Sequence, residues 1–313
     1  GLTMSENNGV YTFTCTGTSG HTINIYMEYI SYTIAFNGND NTGGSTSSMK
    51  ATYDSDVTLT TNGFIKAGYV FTGWKESDGS GKSYSDKETV KNLTSVDGAT
   101  VTLYAQWEET WANHASSSLK TTQINGVTYN VIASAEDLAY LSKQSISSTL
   151  LGKYIQTADI DLSDYTWLPI GSENAFCGEY LGQGHKITGL KTCDAVDADD
   201  VYLQTYGGLF GKLGKNSTNG ASANIVGVYI TDCLVYGQYS GAIAGFSDDE
   251  SVNIDSVNIE ACILENIEIY GNTTASFVGS SSDGQIKDCL LISSNISTAN
   301  TTTRGFYTGT MTV

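Results

Sequence analysis

Three short phrases ending in glycine recur at one spacing. GGLFG (207–211), GAIAG (241–245) and SFVG (276–279) place their last glycines 34 residues apart each time, and a looser GFYTG ends at Gly309. Self-similarity at a period of roughly 20–50 residues marks a chain that stacks one structural unit on the next, because a single unit cannot bury its apolar face alone. Between the glycines lie IVGVYITDCLVYG, VNIEACILENIEIYG and QIKDCLLISSNIS. Such runs fit strands whose side chains alternate between a narrow interior and solvent. The period predicts stacked β-turns of a solenoid, with residues one repeat apart lying side by side.

Upstream of the repeats, Ser134-Ala-Glu-Asp137 has the form of a capping box, and Leu138 and Leu141 follow at helical spacing as far as Lys143. One amphipathic helix is predicted there. It is followed by YIQTADIDLS, a WLPIG turn at Trp167–Gly171 and FCGEYLGQGHKITGL at Phe176–Leu190. That order resembles the opening of a right-handed parallel β-helix in bacterial surface proteins, and GLFG is a literal instance of the GLUG motif found in them. The later copies degrade to AIAG and FVG. The resemblance covers roughly Ile124–Val313 and implies an extracellular β-solenoid whose activity is undefined. A helix at its start would cover the open first turn, where unpaired backbone groups invite edge-to-edge association.

The first third of the chain reads differently. Tyr11, Phe13 and Cys15 alternate with Thr, and Ile23, Ile25 and Met27 alternate with polar residues, predicting two strands about a TGTSGH turn. They fit either the end of a preceding domain or an edge hairpin. From Tyr32, YTIAF makes a strand, NGNDNTGGS a turn and TYDSDVTL a second strand; then come Gly68, Tyr69, Phe71, Gly73 and Trp74, a SDGSGKSY turn and the strand VTLYAQW. This segment resembles the Listeria/Bacteroides type repeat, also called the internalin-type B repeat, over Tyr32–Trp107. The resemblance rests on Phe36, Asn37, Gly38, Gly68, Tyr69, Phe71, Gly73, Trp74, Gly79, Tyr84, Leu93 and the Leu103–Trp107 phrase LYAQW. It implies a small β-grasp-like module that serves exported proteins as a spacer or interaction unit and carries no active site. Trp74, Trp107, Tyr69 and Phe71 are expected to form its core, since each aromatic can bury about 150–250 Å²; a sugar-binding platform is the alternative. The expected organisation is 1–31 as a hairpin or domain end, 32–107 as the repeat module, 108–122 (EETWANHASSSLKTT) as a polar linker, and 123–313 as the β-helix. The fold class is mainly β, a β-grasp-like module followed by a right-handed parallel β-helix with a short capping helix.

Charge narrows the partners. The 33 acids against 15 bases give −18, which opposes nucleic-acid backbones and anionic membranes through long-range repulsion and favours cations or neutral glycans. No apolar run approaches the roughly 20 residues of a membrane span, and no basic-then-apolar leader opens the chain. A mature or excised fragment is therefore expected, with any export signal or wall anchor outside it, and the end at MTV within a repeat-like phrase implies a longer natural protein. The expected setting is extracellular, on a bacterial surface or secreted, as a monomeric part of a multidomain chain.

Six cysteines, Cys15, Cys177, Cys193, Cys233, Cys262 and Cys289, include no CxxC and no zinc-ligand spacing. Cys233, Cys262 and Cys289 stand in parallel phrases, TDC, EAC and KDC, so they are expected to stack as an interior ladder of reduced thiols; a disulfide between neighbouring turns is the alternative. Cys177 and Cys193 flank a hairpin and are a second candidate pair. No cofactor is expected. Calcium is a candidate only at Asp194, Asp197, Asp199 and Asp200, whose spacing is not an EF-hand loop. Asp159 and Asp161 fall on one side of a strand, the rough 5–9.5 Å separation of a glycosidase pair, with turn capping as the plainer reading. His21, His114 and His185 have no accompanying Ser and Asp phrase for a triad, and His185 is expected to act as a structural hydrogen-bonding group. Gly182, Gly184 and Gly189 do not make a nucleotide-binding GxGxxG. From Lys120 onward nine bases face 21 acids, a poor match to a polyuronate-cleaving enzyme. The reading is a non-catalytic surface protein, adhesin-like, acting in attachment or display toward a glycan or a host or bacterial surface protein. A β-helix polysaccharide lyase or glycoside hydrolase is the alternative. Tyr202, Tyr206, Tyr229, Tyr236 and Tyr239 are candidates for sugar contact.

Overall fold

The structure, a computed structural model, describes residues 2–7, 10–15, 21–26, 29–76, 81–143, 150–192, 205–216, 219–248, 257–281 and 284–298. Strand dominates it, and Ala135–Lys143 is the one α-helix among those residues. The chain divides into two compact units, Gly1–Ile65 with Gly73–Gln106, and Lys66–Thr72 with Trp107–Val313.

In the first unit, Val10–Cys15 and His21–Tyr26 pair antiparallel as the alternation predicts, and Leu2–Asn7 adds a third strand on Val10–Cys15. The sequence signal misses that strand because LTMSEN is too short and polar to show a sustained alternation. A separate five-stranded sheet runs in the order Ser83–Tyr84, Tyr69–Glu76, Thr100–Glu109, Ser31–Asn37, Met49–Thr52. Its centre is a parallel pairing of Thr33 with Thr100 through Asn37 with Tyr104. Period-two alternation puts Tyr32, Ile34, Leu103 and Ala105 on the buried face. Trp74 fills that core, fully buried, with the Phe36 ring 4.7 Å and the Phe64 ring 6.3 Å away. Parallel pairing of first and last strands is shared with a β-grasp, but the described residues of this unit hold no α-helix. Of the four aromatics expected as core, only Trp74 is fully buried. Tyr69, Phe71 and Trp107 are half-buried and belong to the second unit, where Phe71 and Trp107 meet edge to face at 5.6 Å.

The second unit is built from three mostly parallel sheets. The first runs in the order Thr121–Ile124, Val127–Ile132, Lys153–Gln156, Glu179–Leu181, Asn224–Val226, Asn258–Glu260, Gln285–Lys287. The second orders Ile160–Asp161, Lys186–Thr188, Tyr229–Ser240, Ile263–Thr274 and Leu290–Leu291, and the third orders Phe210–Gly214, Ala244–Asp248 and Val278–Ser281. The predicted 34-residue period appears as register: Asn224 pairs with Asn258, Tyr229 with Ile263, and Phe210 with Ala244, which pairs with Val278. The chain turns between sheets at residues in the left-handed region. Gly227, Ala261 and Asp288 form one set of such corners, with φ of 66°, 52° and 51°; Gly189, Asp232 and Asn266 form another, with φ of 66°, 53° and 51°. Asn and Asp tolerate this conformation by local hydrogen bonding, and Asn266 Nδ2 donates to Asp232 Oδ1 at 2.5 Å.

The predicted helix forms where the capping box places it. Ser134 Oγ accepts from the Asp137 amide at 3.3 Å, while Asp137 Oδ2 accepts from the Ala133 amide at 3.2 Å. Leu138 and Leu141 are fully buried in the core cluster with Trp111 and Ile132. The edge strand of the first sheet is Thr121–Ile124, folded back antiparallel on Val127–Ile132 through Asn125 and Gly126, both at positive φ. The stretch expected as a linker, 108–122, is partly core. Trp111 opens a 3-10 turn, Trp111–His114, is only 5% exposed, and donates its indole N–H to Leu162 O at 3.0 Å. A Ser-rich composition hid that one large apolar side chain. Within the core, aromatics come first: Phe176 lies 6.0 Å from Tyr154 and 4.9 Å from Phe210, and Tyr180 lies 5.9 Å from Phe210. Later rows are filled by Ile225, Ile230, Ile259, Leu264 and Ile269.

Candidate functional site

A cleft of about 390 Å³ opens in the second unit where three segments converge beside a fourth, at Val70. The helix end supplies Ser142 and Lys143, the turn after Trp167 supplies Leu168, Pro169, Glu173 and Asn174, and the strand start supplies Thr205 and Tyr206. Local hydrogen bonds hold its walls. Ser142 Oγ donates to Leu168 O at 2.6 Å, Ser172 Oγ to Pro169 O at 3.0 Å, and Lys212 Nζ to Glu173 O at 2.7 Å. Gly171, at φ 77°, makes the turn possible, since a Cβ there would lie 2.9 Å from Asn174 O and Phe176 N.

Tyr206 stands at the margin of an aromatic cluster. Its ring lies 6.0 Å from Tyr239, near parallel at 25°, and 6.1 Å from Phe246, which in turn meets Tyr239 at 5.6 Å. The Lys212 ammonium sits 5.6 Å from the Tyr206 ring centre. An apolar floor, a ring face and a few fixed polar groups suit a small polar ligand with an apolar face, the make-up of a sugar ring. The other tyrosine candidates are otherwise occupied. Tyr236 is 3% exposed in the core, and Tyr229 is bound by Glu265 with Lys186 4.8 Å from its ring. Tyr202 lies outside the described residues. The helix ending at Lys143 and the WLPIG turn are each legible as elements, but no motif marks them as one site, because the cleft forms only when distant segments meet.

The carboxylates singled out by sequence do local work. Asp159 Oδ1 accepts from the Lys186 amide at 2.9 Å and lies 3.2 Å from His185 Nδ1; these contacts hold its carboxyl below the usual aspartate range. Asp161 Oδ1 accepts from the Ser163 amide at 2.9 Å, a turn cap. His114 stacks on Tyr165 at 3.9 Å, and His21 opens the strand His21–Tyr26. Among the described residues, no three His, Cys, Asp or Glu side chains converge to hold a metal. Asp194, Asp197, Asp199 and Asp200 lie outside the described residues.

The cysteine ladder is corrected. Cys262 and Cys289 do occupy equivalent positions, one before the paired Ile263 and Leu290, but Cys233 pairs with Ile267. The cause is that TDC, EAC and KDC each place a left-handed corner residue before the cysteine. Asp232 is at one corner set, Ala261 and Asp288 at the other. Cys177 is a free buried thiol, and Cys193 lies outside the described residues.

A polar column that no motif announces runs along the first sheet: Lys153, Glu179, Asn224, Asn258 and Gln285 stand in register. Asn258 Nδ2 donates to Asn224 Oδ1 at 2.9 Å, and Glu179 accepts from Tyr129 Oη at 2.7 Å, Asn224 Nδ2 at 3.3 Å and Lys153 Nζ at 3.4 Å. Burial raises the Glu179 pKa, but the donors from Tyr129, Asn224 and Lys153 outweigh it and leave the carboxyl below its ordinary value. A depressed folded-state pKa contributes stability that is present above the unfolded pKa, about 4.3, and is lost as pH falls through the folded value. Thermal melts from neutral pH down through that window should lose less stability in Glu179→Gln than in the parent chain; an identical acid slope would remove Glu179 from the account.

The comparisons with known proteins bear on the first unit. Residues 32–106 match the Listeria-Bacteroides repeat domain family. The match covers most of the segment whose resemblance rests on Phe36, Trp74 and LYAQW, and the fully buried Trp74 is the centre of that repeat module. No curated protein and no solved structure matches the chain. Among the described residues, no helix is long and apolar enough to cross a membrane.

Proposed function

We propose that this chain belongs to a bacterial surface or secreted protein, non-catalytic and adhesin-like, in which a Listeria-Bacteroides repeat module accompanies a GLUG-type right-handed parallel β-helix. The observation that carries the surface role is the family match at 32–106, since repeats of that kind occur in surface proteins. The β-helix reading is supported by three in-register parallel sheets, left-handed corners stacked in columns, and the 34-residue period. The helix Ala135–Lys143 caps its first turn in this reading. This reading sets the chain outside the cell, without nucleic-acid or anionic-membrane partners, which −18 favours.

Attachment is assigned to the cleft beside Tyr206, with a neutral glycan as ligand. The purified chain applied to a glycan array should bind neutral glycans, and Tyr206→Ala should weaken binding roughly twofold to thirteenfold, the worth of about 0.5–1.5 kcal/mol of ring contact. A parallel assay for reducing ends and unsaturated uronates should stay flat. Product release would turn the reading to a β-helix lyase or hydrolase, and binding unaffected by Tyr206→Ala would move the glycan site elsewhere.

A further inference from the structure

Cys262 and Cys289 lie at neighbouring corners of the second unit, one residue before the paired Ile263 and Leu290, each directly after a left-handed corner residue, Ala261 or Asp288. The Leu290 amide donates to Cys262 O at 2.8 Å, and the Cys262 amide donates to Cys289 Sγ at 3.3 Å. The thiols share one small polar pocket of backbone. Cys262 Sγ is 3.3 Å from Glu260 O, and Cys289 Sγ is 3.1 Å from Lys287 O. Cys262 is fully buried, whereas Cys289 is partly exposed. Two thiols this close, one sealed and one within reach of solvent, have the arrangement of an attacking and a resolving cysteine.

We propose that Cys262 and Cys289 form a thiol–disulfide exchange site, at which a low-molecular-weight disulfide converts the pair into a covalent cross-link between neighbouring corners. Cys289 attacks first. The neighbouring Cys262 side chain and the hydrogen bond from the Cys262 amide pull the Cys289 pKa down, while the Cys289 side chain and burial push Cys262 up. The Cys289 thiolate forms a bond to one sulfur of R–S–S–R, and the other leaves as RS⁻. The Cys262 thiol then gives its proton to a thiolate in solution, its sulfur attacks Cys289 Sγ, and the second RS⁻ departs. Two cysteine thiols and one small disulfide thus become one protein disulfide and two RSH, with two electrons passed to the small disulfide. The mixed disulfide is short-lived because its resolving thiol is already in contact. Cys233 takes no part: burial pushes its thiol up to about 12, and it stands at a different corner.

The test uses the intact chain. Incubation with oxidised glutathione, followed by denaturation, alkylation and peptide mapping, should recover the Cys262 and Cys289 peptides joined and unalkylated, with Cys233 alkylated. In Cys262→Ser, Cys289 should keep one glutathione that the parent chain sheds. In Cys289→Ser, Cys262 should take up glutathione more than tenfold more slowly than Cys289 does. The proposal is overturned if both thiols of the parent are alkylated, if glutathione persists on its Cys289, or if either cysteine is joined to Cys15, Cys177, Cys193 or Cys233. Since the parent decides these outcomes, a variant that fails to fold leaves the test intact.

Discussion

Trp167→Ala is expected to destabilise the second unit by about 3–5 kcal/mol, the range for truncating a fully buried Trp. Trp167 has no exposed surface, and its indole N–H donates to Leu209 O at 3.0 Å, a carbonyl that also accepts the Ile170 amide. Its own amide donates to Lys191 O at 2.7 Å. The side chain thus joins the turn that floors the cleft to the strands beside it. Removing it leaves a cavity in a close-packed core, beside a turn and a backbone carbonyl held by hydrogen bonds, which collapse poorly. Trp167→Phe retains most of the volume and loses one hydrogen bond, so roughly 1–2 kcal/mol is expected for it. Urea unfolding followed by far-ultraviolet circular dichroism measures both. A loss below about 1 kcal/mol for the alanine variant would mean that the turn is not anchored through this ring.

The same residue shows what a sequence can and cannot convey. WLPIG is legible as a turn, and its single Pro169 supports that, but nothing local says that Trp167 reaches a carbonyl 42 residues away. The 34-residue period is legible because glycine at each copy answers a repeated backbone constraint. The helix is legible because a capping box and two leucines are a short-range code. Asn125-Gly126 carries the signature of a two-residue hairpin loop, and both φ values are positive, but the weak alternation around it concealed the hairpin. Trp111 was concealed by serines. The cysteine phrases misled for a physical reason: two successive corners of one repeat demand the same left-handed residue, so local similarity does not fix register. The cleft was invisible because Lys143, Glu173 and Tyr206 belong to segments that become neighbours only through strand pairing.

The glycine column offers the sharpest test of that register. Phe210 pairs with Ala244 and Lys212 with Phe246, so Gly211 faces Gly245; Ala244 pairs with Val278, so Gly245 faces Gly279. A Cβ on Gly279 would fall 2.4 Å from Ser240 N and 2.6 Å from Ser240 O, and one on Gly245 would fall 2.7 Å from Tyr239 O. These obstacles are backbone atoms of Tyr229–Ser240, a strand of the second sheet against which the glycines of the third sheet pack, so no side-chain rotation relieves them. Gly279→Ala should therefore cost about 3 kcal/mol, the upper end for overpacking, and Gly279→Val more, because a branched side chain must displace the Ser240 backbone further. Gly43→Ala supplies the contrast: nothing lies within 4 Å of its Cβ position, and a change within about 0.5 kcal/mol is expected. If Gly279→Ala melts with the parent chain, the strands are not packed backbone against backbone at this column. The 34-residue spacing would then reflect sequence history alone, without a present steric demand.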